Sequence, residues 1–296
     1  MQPKVSIIVI SYNSEKTITE TLESIKNQTY LNYEVIISDD CSKDKTIDIV
    51  KEWCKGNNKN NYEILESKIN EGVTKNINKG LKKANGTWIK LIAADDILVP
   101  TCLEDNINFV NNNRKINICF SKAKTFGKTQ KIIPKKSKEK LYDLSSKKQY
   151  EEMKWDNFVI APTSFINKEI FKRYGFFDER IPMIEDRPYW LLLTSKGEKL
   201  FFLNKITIEY RVGESLSNHQ NKIVHQQTYE SRKLWYKYYI KNEASILLKW
   251  HYELEFFIKD FLIKRFKNKS NILTKMLLRY FRILDIGYII KKLSRE

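Results

Sequence analysis

The stretch that most constrains this chain is the run at residues 88–93, an almost unbroken apolar segment that closes on Ala94-Asp95-Asp96. A short apolar run bounded by turn signals, here Asn85-Gly86, reads as a strand buried on both faces. Two adjacent carboxylates at the end of such a strand are costly unless a positive partner meets them. A divalent cation taking hard oxygen ligands, Mn2+ or Mg2+, answers that need and keeps coordination positions open for substrate phosphates. Capping of a helix beyond Pro100 is the competing account of the same two acids.

The residues before this run repeat one pattern. Residues 4–10 are a near-continuous apolar strand ended by Ser11-Tyr12-Asn13. Ser14 is placed to cap a helix whose Ile18, Leu22 and Ile25 share a face. Residues 33–38 form a second strand ending in Asp39-Asp40-Cys41-Ser42, and a helix beginning at Asp44 carries Ile47, Val50 and Trp53. Residues 62–65 make a third strand, followed by Asn70-Glu71-Gly72 and a helix with Val73, Ile77, Leu81 and Ala84. Alternation of this kind predicts an α/β fold with a mostly parallel sheet, whose ligands bind beyond the carboxyl ends of the strands. Asn13, Asp39-Asp40 and Asp95-Asp96 stand at three such ends, which favours the metal account over the cap. Neither GxGxxG nor GxxxxGK[ST] occurs. A bound diphosphate is therefore expected to be neutralised by metal and lysines rather than by a glycine-rich loop.

Composition bounds the rest. The 296 residues can build one large domain or two modest ones. The net charge of +17 asks for an anionic partner, and most of it lies at the C-terminal end. Residues 231–296 hold sixteen Lys and Arg against six Asp and Glu. The four cysteines show no CxxC spacing and no metal pattern with the three histidines, as expected in a reducing compartment. No signal peptide and no membrane-spanning run are expected.

Taken in order, several segments resemble the successive blocks of the inverting family 2 glycosyltransferases of GT-A fold, of the kind that build bacterial surface or capsular polysaccharide. They are residues 5–13, residues 36–44, Asn70-Glu71-Gly72, residues 85–89 and Ala94-Asp95-Asp96. Residues 175–179, then Ile184-Glu185-Asp186-Arg187-Pro188-Tyr189-Trp190, are similar to the family's acceptor-side block, and residues 210–217 to its closing segment.

The resemblance implies a metal-dependent transfer of a sugar from a nucleotide-sugar donor, expected to be a UDP-sugar, to an acceptor hydroxyl of a lipid-linked or growing glycan. It assigns Asp96 to Mn2+ or Mg2+ and Asp95 to ribose or metal, although Ala93 stands where many relatives carry a further acid. Asp40 is expected to accept from the uracil ring, with Ser11, Tyr12 and Asn13 beside the base and ribose and Gly72 letting the backbone approach the nucleotide. Lys75 and Arg211 are expected on the diphosphate, and His219 as a further metal ligand. Asp186 matches the general base, with Glu185 and Trp190 on the acceptor side. Residues 161–164 are a further expected lining of that side. The QxxRW block of processive synthases is absent, so a single addition is expected.

The family blocks end near residue 217. The expected division is a catalytic domain at 1–227 and a basic amphipathic helical region at 228–296. Aromatic and cationic residues interleave there, as in helices that lie on anionic membranes. The expected location is thus cytoplasmic, at the inner face of the cell membrane; a packed helical subdomain is the other account. Two further readings remain at this stage: a nucleotidyltransferase, and a non-enzymatic protein binding nucleic acid or membrane through its tail. Specific nucleic-acid recognition is not expected, because the acids at the strand ends would repel phosphate.

Overall fold

The computed structural model describes residues 2–57, 61–213 and 222–293. The chain divides into two compact units. One is Met1–Glu179 with Glu185–Gly213, and the other is Arg180–Ile184 with Glu214–Glu296.

The first unit opens with β1 (Val5–Ser11), α1 (Ile18–Lys26), β2 (Tyr33–Asp39), α2 (Thr46–Gly56), β3 (Tyr62–Glu66), α3 (Val73–Lys83) and β4 (Trp88–Ala93). The four strands are parallel in the order β3-β2-β1-β4, with Val5 registered on Tyr33 at one side and on Trp88 at the other. β1 is central, and Val5, Ile7, Ile8 and Val9 are fully buried. Burial at this level is worth about 1.5–3 kcal/mol per aliphatic side chain, which explains why both faces of the strand are apolar. α3 lies so close to β1 that a Cβ on Gly80 would stand 2.5 Å from Ile8 Cγ2. Ser14 does not cap α1: its carbonyl accepts from the Thr17 and Ile18 amides, its hydroxyl turns to the Tyr12 carbonyl, and the helix starts at Ile18. Asp44 does brace the start of α2 by accepting from the Thr46 amide.

Beyond β4 the chain forms β5 (Ile97–Leu98), α4 (Cys102–Asn111), β6 (Ile118–Gly127), β7 (Ile132–Ile133), α5 (Lys136–Glu139), α6 (Ser146–Trp155), β8 (Phe165–Asn167), α7 (Glu169–Tyr174), α8 (Asp186–Ser195) and β9 (Phe201–Val212). Among the described residues, nine strands form one sheet that continues from β4 as β8-β6-β9-β5, with β7 on β6. β8 is antiparallel to both β4 and β6, and β6 runs parallel to β9. The short β5, immediately after Asp95-Asp96, pairs antiparallel with β9. That pairing brings the end of β9, with Tyr210 and Arg211, alongside the two acids.

The second unit is helical: α9 (Gln226–Trp235), α10 (Ile246–Phe266), α11 (Ile272–Ile283) and α12 (Ile286–Leu293). Its core sets Trp235 edge-on to Tyr252 at 5.4 Å, with Tyr236, Leu248 and Leu262 buried around them. Tyr229 and Lys233 of α9 bind Asp260 of α10, and Arg232 binds Glu255. Among the described residues, no helix is long and apolar enough to cross a membrane.

Candidate active site

The site is built at the carboxyl ends of β1, β2 and β4. Asp39 is spent on structure: its carboxylate accepts from the Ser11 hydroxyl at 2.8 Å and from the Ser42 amide and hydroxyl at 2.8 and 2.6 Å. Ser11 therefore ties β1 to β2, and its hydroxyl is turned to Asp39 rather than to a nucleotide. Asn13, with φ of 50°, accepts from the Lys43 amide and braces the loop after β2. Tyr12 is half-buried between them.

Asp40 has both oxygens engaged. Oδ1 accepts from the Glu71 amide and Oδ2 from the Gly72 amide, each at 2.8 Å. Gly72 sits at φ 90°, ψ 160°, a region open to glycine. Asp40 thus fixes the turn that leads into α3, and its remaining lone pairs are what it can offer a base. Lys75, one turn into α3, pairs with Glu71 at 3.3 Å and is half-exposed; the pair holds it on its own helix. Lys79, absent from the sequence expectations, reaches further. Its Nζ donates to the Asp39 and Leu65 carbonyls and to the Ser67 hydroxyl, and burial lowers its pKa.

Asp95 and Asp96 occupy a turn held by α1, where Thr17 donates to the Ala94 carbonyl and Thr21 to the Asp96 carbonyl, both at 2.8 Å. Asp96 is 1% exposed. Its Oδ1 accepts from the Arg211 amide at 2.9 Å, while Oδ2 is buried with no hydrogen-bond partner among the described residues. Burial, followed by the charge of Asp95, pushes the Asp96 pKa up to about 8. Burial raises Asp95 as well. Neither acid caps a helix: α4 begins at Cys102 with Thr101 before it. Arg211 stands over this turn. Its Nε donates to the Asp95 carbonyl at 2.8 Å, its guanidinium pairs with Glu20, and its Cζ lies 4.4 Å from the Phe126 ring centroid. Arg211, expected on a diphosphate, thus stands beside the two acids with its guanidinium engaged by Glu20.

Lys90, on β4, is fully buried and donates to the Pro162 and Ser164 carbonyls at 2.7 and 3.3 Å. Burial lowers its pKa, and its charge acts on Asp96 in the opposite sense to Asp95. The 161–164 segment, expected on the acceptor side, is bound through these carbonyls to the core lysine.

Asp186 is the first residue of α8 and Glu185 precedes it. Both are half-buried, and desolvation raises both pKa values; for Glu185 the charge of Asp186 adds to the effect. Asn157 Nδ2 donates to Asp186 Oδ2 at 3.0 Å, and Arg187 anchors the helix start on the Met153 carbonyl. Trp190 departs from the expectation. It is 1% exposed, edge-on to Phe120 at 5.1 Å and to Phe177 at 6.1 Å, because its place one turn into α8 faces the aromatic core. It supports the helix and does not reach an acceptor. Tyr210 stands in the field of the acids. Burial raises its pKa first, and Asp96, Asp95 and Asp186 add to that in turn, so all three carboxylates act on one hydroxyl.

His219 lies outside the described residues, as do Ser215 and Ser217. Among the described residues no three His, Cys, Asp or Glu side chains gather as a cation cage. The unpartnered Oδ2 of Asp96 and the neighbouring Asp95 nevertheless fit a hard cation that takes its other ligands from phosphate and water.

A parallel α/β half with acids at its strand ends and a carboxylate pair at the start of α8 is an arrangement of the GT-A class of fold. The chain matches the family model Glycosyl transferase family 2 over residues 6–175, and it belongs to that family. It is 26% identical over 230 residues to an uncharacterized glycosyltransferase of Methanocaldococcus jannaschii, covering 77% of each chain. With the putative teichuronic acid biosynthesis glycosyltransferase TuaG of Bacillus subtilis it shares 27% identity, over 80% of this chain and 88% of TuaG. With the poly(ribitol-phosphate) beta-N-acetylglucosaminyltransferase TarS of Staphylococcus aureus it shares 28% over 67% of this chain, spanning 37% of TarS. The fold matches the crystal structure of S. aureus TarS 1-349 in complex with UDP-GlcNAc, with a TM-score of 0.65 at 22% identity, covering 93% of this chain and 78% of that one. The protein is a glycosyltransferase, and the nucleotidyltransferase and non-enzymatic readings fall away.

Proposed function

We propose that this glycosyltransferase moves a sugar from a UDP-sugar, with Mn2+ or Mg2+, to a hydroxyl of a glycan or lipid-linked glycan, inverting the anomeric centre. The observation that carries the reading is Asp96: a carboxylate buried at a strand end, one oxygen without a partner, its proton affinity raised by burial. A fold keeps such a group where a ligand will satisfy it. A UDP-GlcNAc complex of the TarS relative supports the donor class, and TuaG supports a surface-glycan acceptor.

In this reading Asp96 and Asp95 would hold the cation, which when bound would supply positive charge against the negative charge that develops on the leaving diphosphate. Arg211 exchanges Glu20 for a phosphate oxygen, a charge-assisted contact. Asp40 fixes the Glu71-Gly72 turn beside the nucleotide. Asp186 accepts the proton of the acceptor hydroxyl while that oxygen bonds to the anomeric carbon and the carbon–phosphate-oxygen bond breaks. Burial raises its pKa, which strengthens it as a base, and the Asn157 donor limits the rise and orients the carboxylate. The test is UDP release from a panel of UDP-sugars with an acceptor glycan, beside UDP binding by thermal shift. Asp186→Asn is expected to bind UDP as the parent does and to lose turnover by about 100-fold or more. A variant that keeps turnover overturns the assignment of the base.

A further inference from the structure

The helical unit carries apolar side chains that its own core does not use. On α11, Ile272, Met276 and Tyr280 follow one another at four-residue spacing and are 80%, 62% and 62% exposed. Thr274 is buried and Leu277, Leu278 and Phe281 are half-buried on the opposite side, where the helix meets its own unit. Residues four apart lie on one face of a helix, so α11 is apolar on both sides, and the outward side is exposed among the described residues. α10 repeats the arrangement. Ile246, Trp250, Phe257 and Phe261 are exposed along one stripe, while Leu248, Tyr252, Ile258 and Leu262 bury the other. α12 adds exposed Ile286, Ile290 and Leu293. Single exposed apolar residues need no explanation, but stripes on three successive helices mark an interaction surface.

Charge selects the partner. Lys275 and Arg279 flank the α11 stripe and line, with Ile272, Met276 and Leu278, an open cleft on its surface. Residues 231–296 carry ten more cationic than anionic side chains. Two copies of so basic a segment repel each other, whereas an anionic bilayer offers both an apolar interior for the stripe and phosphates for the flanking cations. No helix among the described residues is long and apolar enough to cross a membrane, so the contact is with its surface.

We propose that the outward stripe of α11, flanked by Lys275 and Arg279 and extended by α10 and α12, is a docking surface for anionic membrane, entering the headgroup boundary without spanning it. The test uses the full chain in flotation with vesicles of phosphatidylcholine alone and of phosphatidylcholine mixed with phosphatidylglycerol. The protein is expected to float with the mixed vesicles, to be released by salt, and to stay behind with the neutral ones. Met276→Glu with Tyr280→Glu, both at exposed positions, is expected to abolish flotation while the thermal melt stays unchanged. Lys275→Gln with Arg279→Gln is expected to reduce partitioning by about fivefold for each cation removed. No flotation of the parent chain with anionic vesicles overturns the proposal, as does equal flotation of the Met276→Glu, Tyr280→Glu variant. Sedimentation velocity supplies the rival outcome: a dimer that these same substitutions dissolve, without vesicle binding, would make the stripe a self-association surface.

Discussion

Replacing Asp96 with Asn is predicted to stabilise the ligand-free protein, and to do so more strongly as the pH rises. The Asp96 carboxyl moves from an ordinary value of 3.8 to about 8 in the folded chain, with burial as the leading cause. Between those values the folded state holds a proton that the unfolded chain has released, so stability falls as pH rises through the window and levels off above it. Each pH unit is worth about 1.4 kcal/mol. From 3.8 to pH 7 the cost therefore approaches roughly 4 kcal/mol, a large share of the 5–15 kcal/mol that holds a typical domain together. Asn keeps the oxygen that accepts from the Arg211 amide and removes the titration. The melting temperature of Asp96→Asn should exceed the parent's by about 3–6 °C at pH 5 and by on the order of 10 °C or more at pH 8. The assay is a thermal melt from pH 5 to 8 with and without Mg2+ and UDP. The added ligands should raise the parent most at high pH and leave the variant unmoved, since a ligand stabilises only the state it binds. A constant difference between the two proteins across the range, or an Asn variant that is less stable at pH 8, would refute the reasoning.

Three further outcomes follow from neighbouring contacts. Asn157→Ala removes the donor that lowers the Asp186 pKa, so the acidic limb of the pH–turnover profile should move to higher pH with UDP affinity unchanged; an unmoved limb counts against Asp186 as the base. Gly72→Ala forces a side chain into φ 90°, ψ 160°, and should lower stability in urea by about 1–3 kcal/mol and weaken UDP binding, because the turn held by Asp40 must shift; an unchanged unfolding midpoint would show that the turn tolerates a Cβ. Lys90→Met strips the Pro162 and Ser164 carbonyls of their donor, costing roughly 1–3 kcal/mol for each group left unpaired, and should raise the Asp96 titration midpoint seen in the pH melts. A midpoint that stays put would mean that Lys90 does not act on Asp96.

The parallel half of the fold was legible because its signals are local. Continuous apolar runs at β1, β2 and β4 and the alternating amphipathic helices state their burial in consecutive residues. The acids at the strand ends were legible for the same reason, since position along a strand decides which end of the sheet a residue occupies. What escaped were commitments between distant segments. Ser11 and Asp39 look equally available for a nucleotide until the register of β1 on β2 sets them opposite each other. Trp190 was expected on the acceptor side from its place in the block that carries Asp186, but α8 turns the ring among Phe120 and Phe177. Lys79 and Lys90 read as ordinary lysines in a lysine-rich chain, and only the closing of β2, β3 and the 161–164 segment around them gives them a purpose. The pairing of β5 with β9, which carries Tyr210 and Arg211 to Asp96, joins residues more than a hundred positions apart and leaves no local trace.

Those long-range commitments bear on how the chemistry is prepared. Donors are lavished on Asp39 and Asp40, whose carboxylates receive three and two hydrogen bonds from neighbouring loops. Asp96 receives one, and its second oxygen none among the described residues. Three acids at adjoining strand ends thus have opposite treatment, and that difference separates scaffold from site. The satisfied pair fixes the loops at these strand ends, while the unsatisfied one stores a cost that, in the proposed function, a bound cation and diphosphate would relieve. Stability is given up where the ligand must bind, as expected when activity and stability compete for the same residue. If the proposed function holds, engineering this protein for stability would begin at Asp96 and would end its use of the donor.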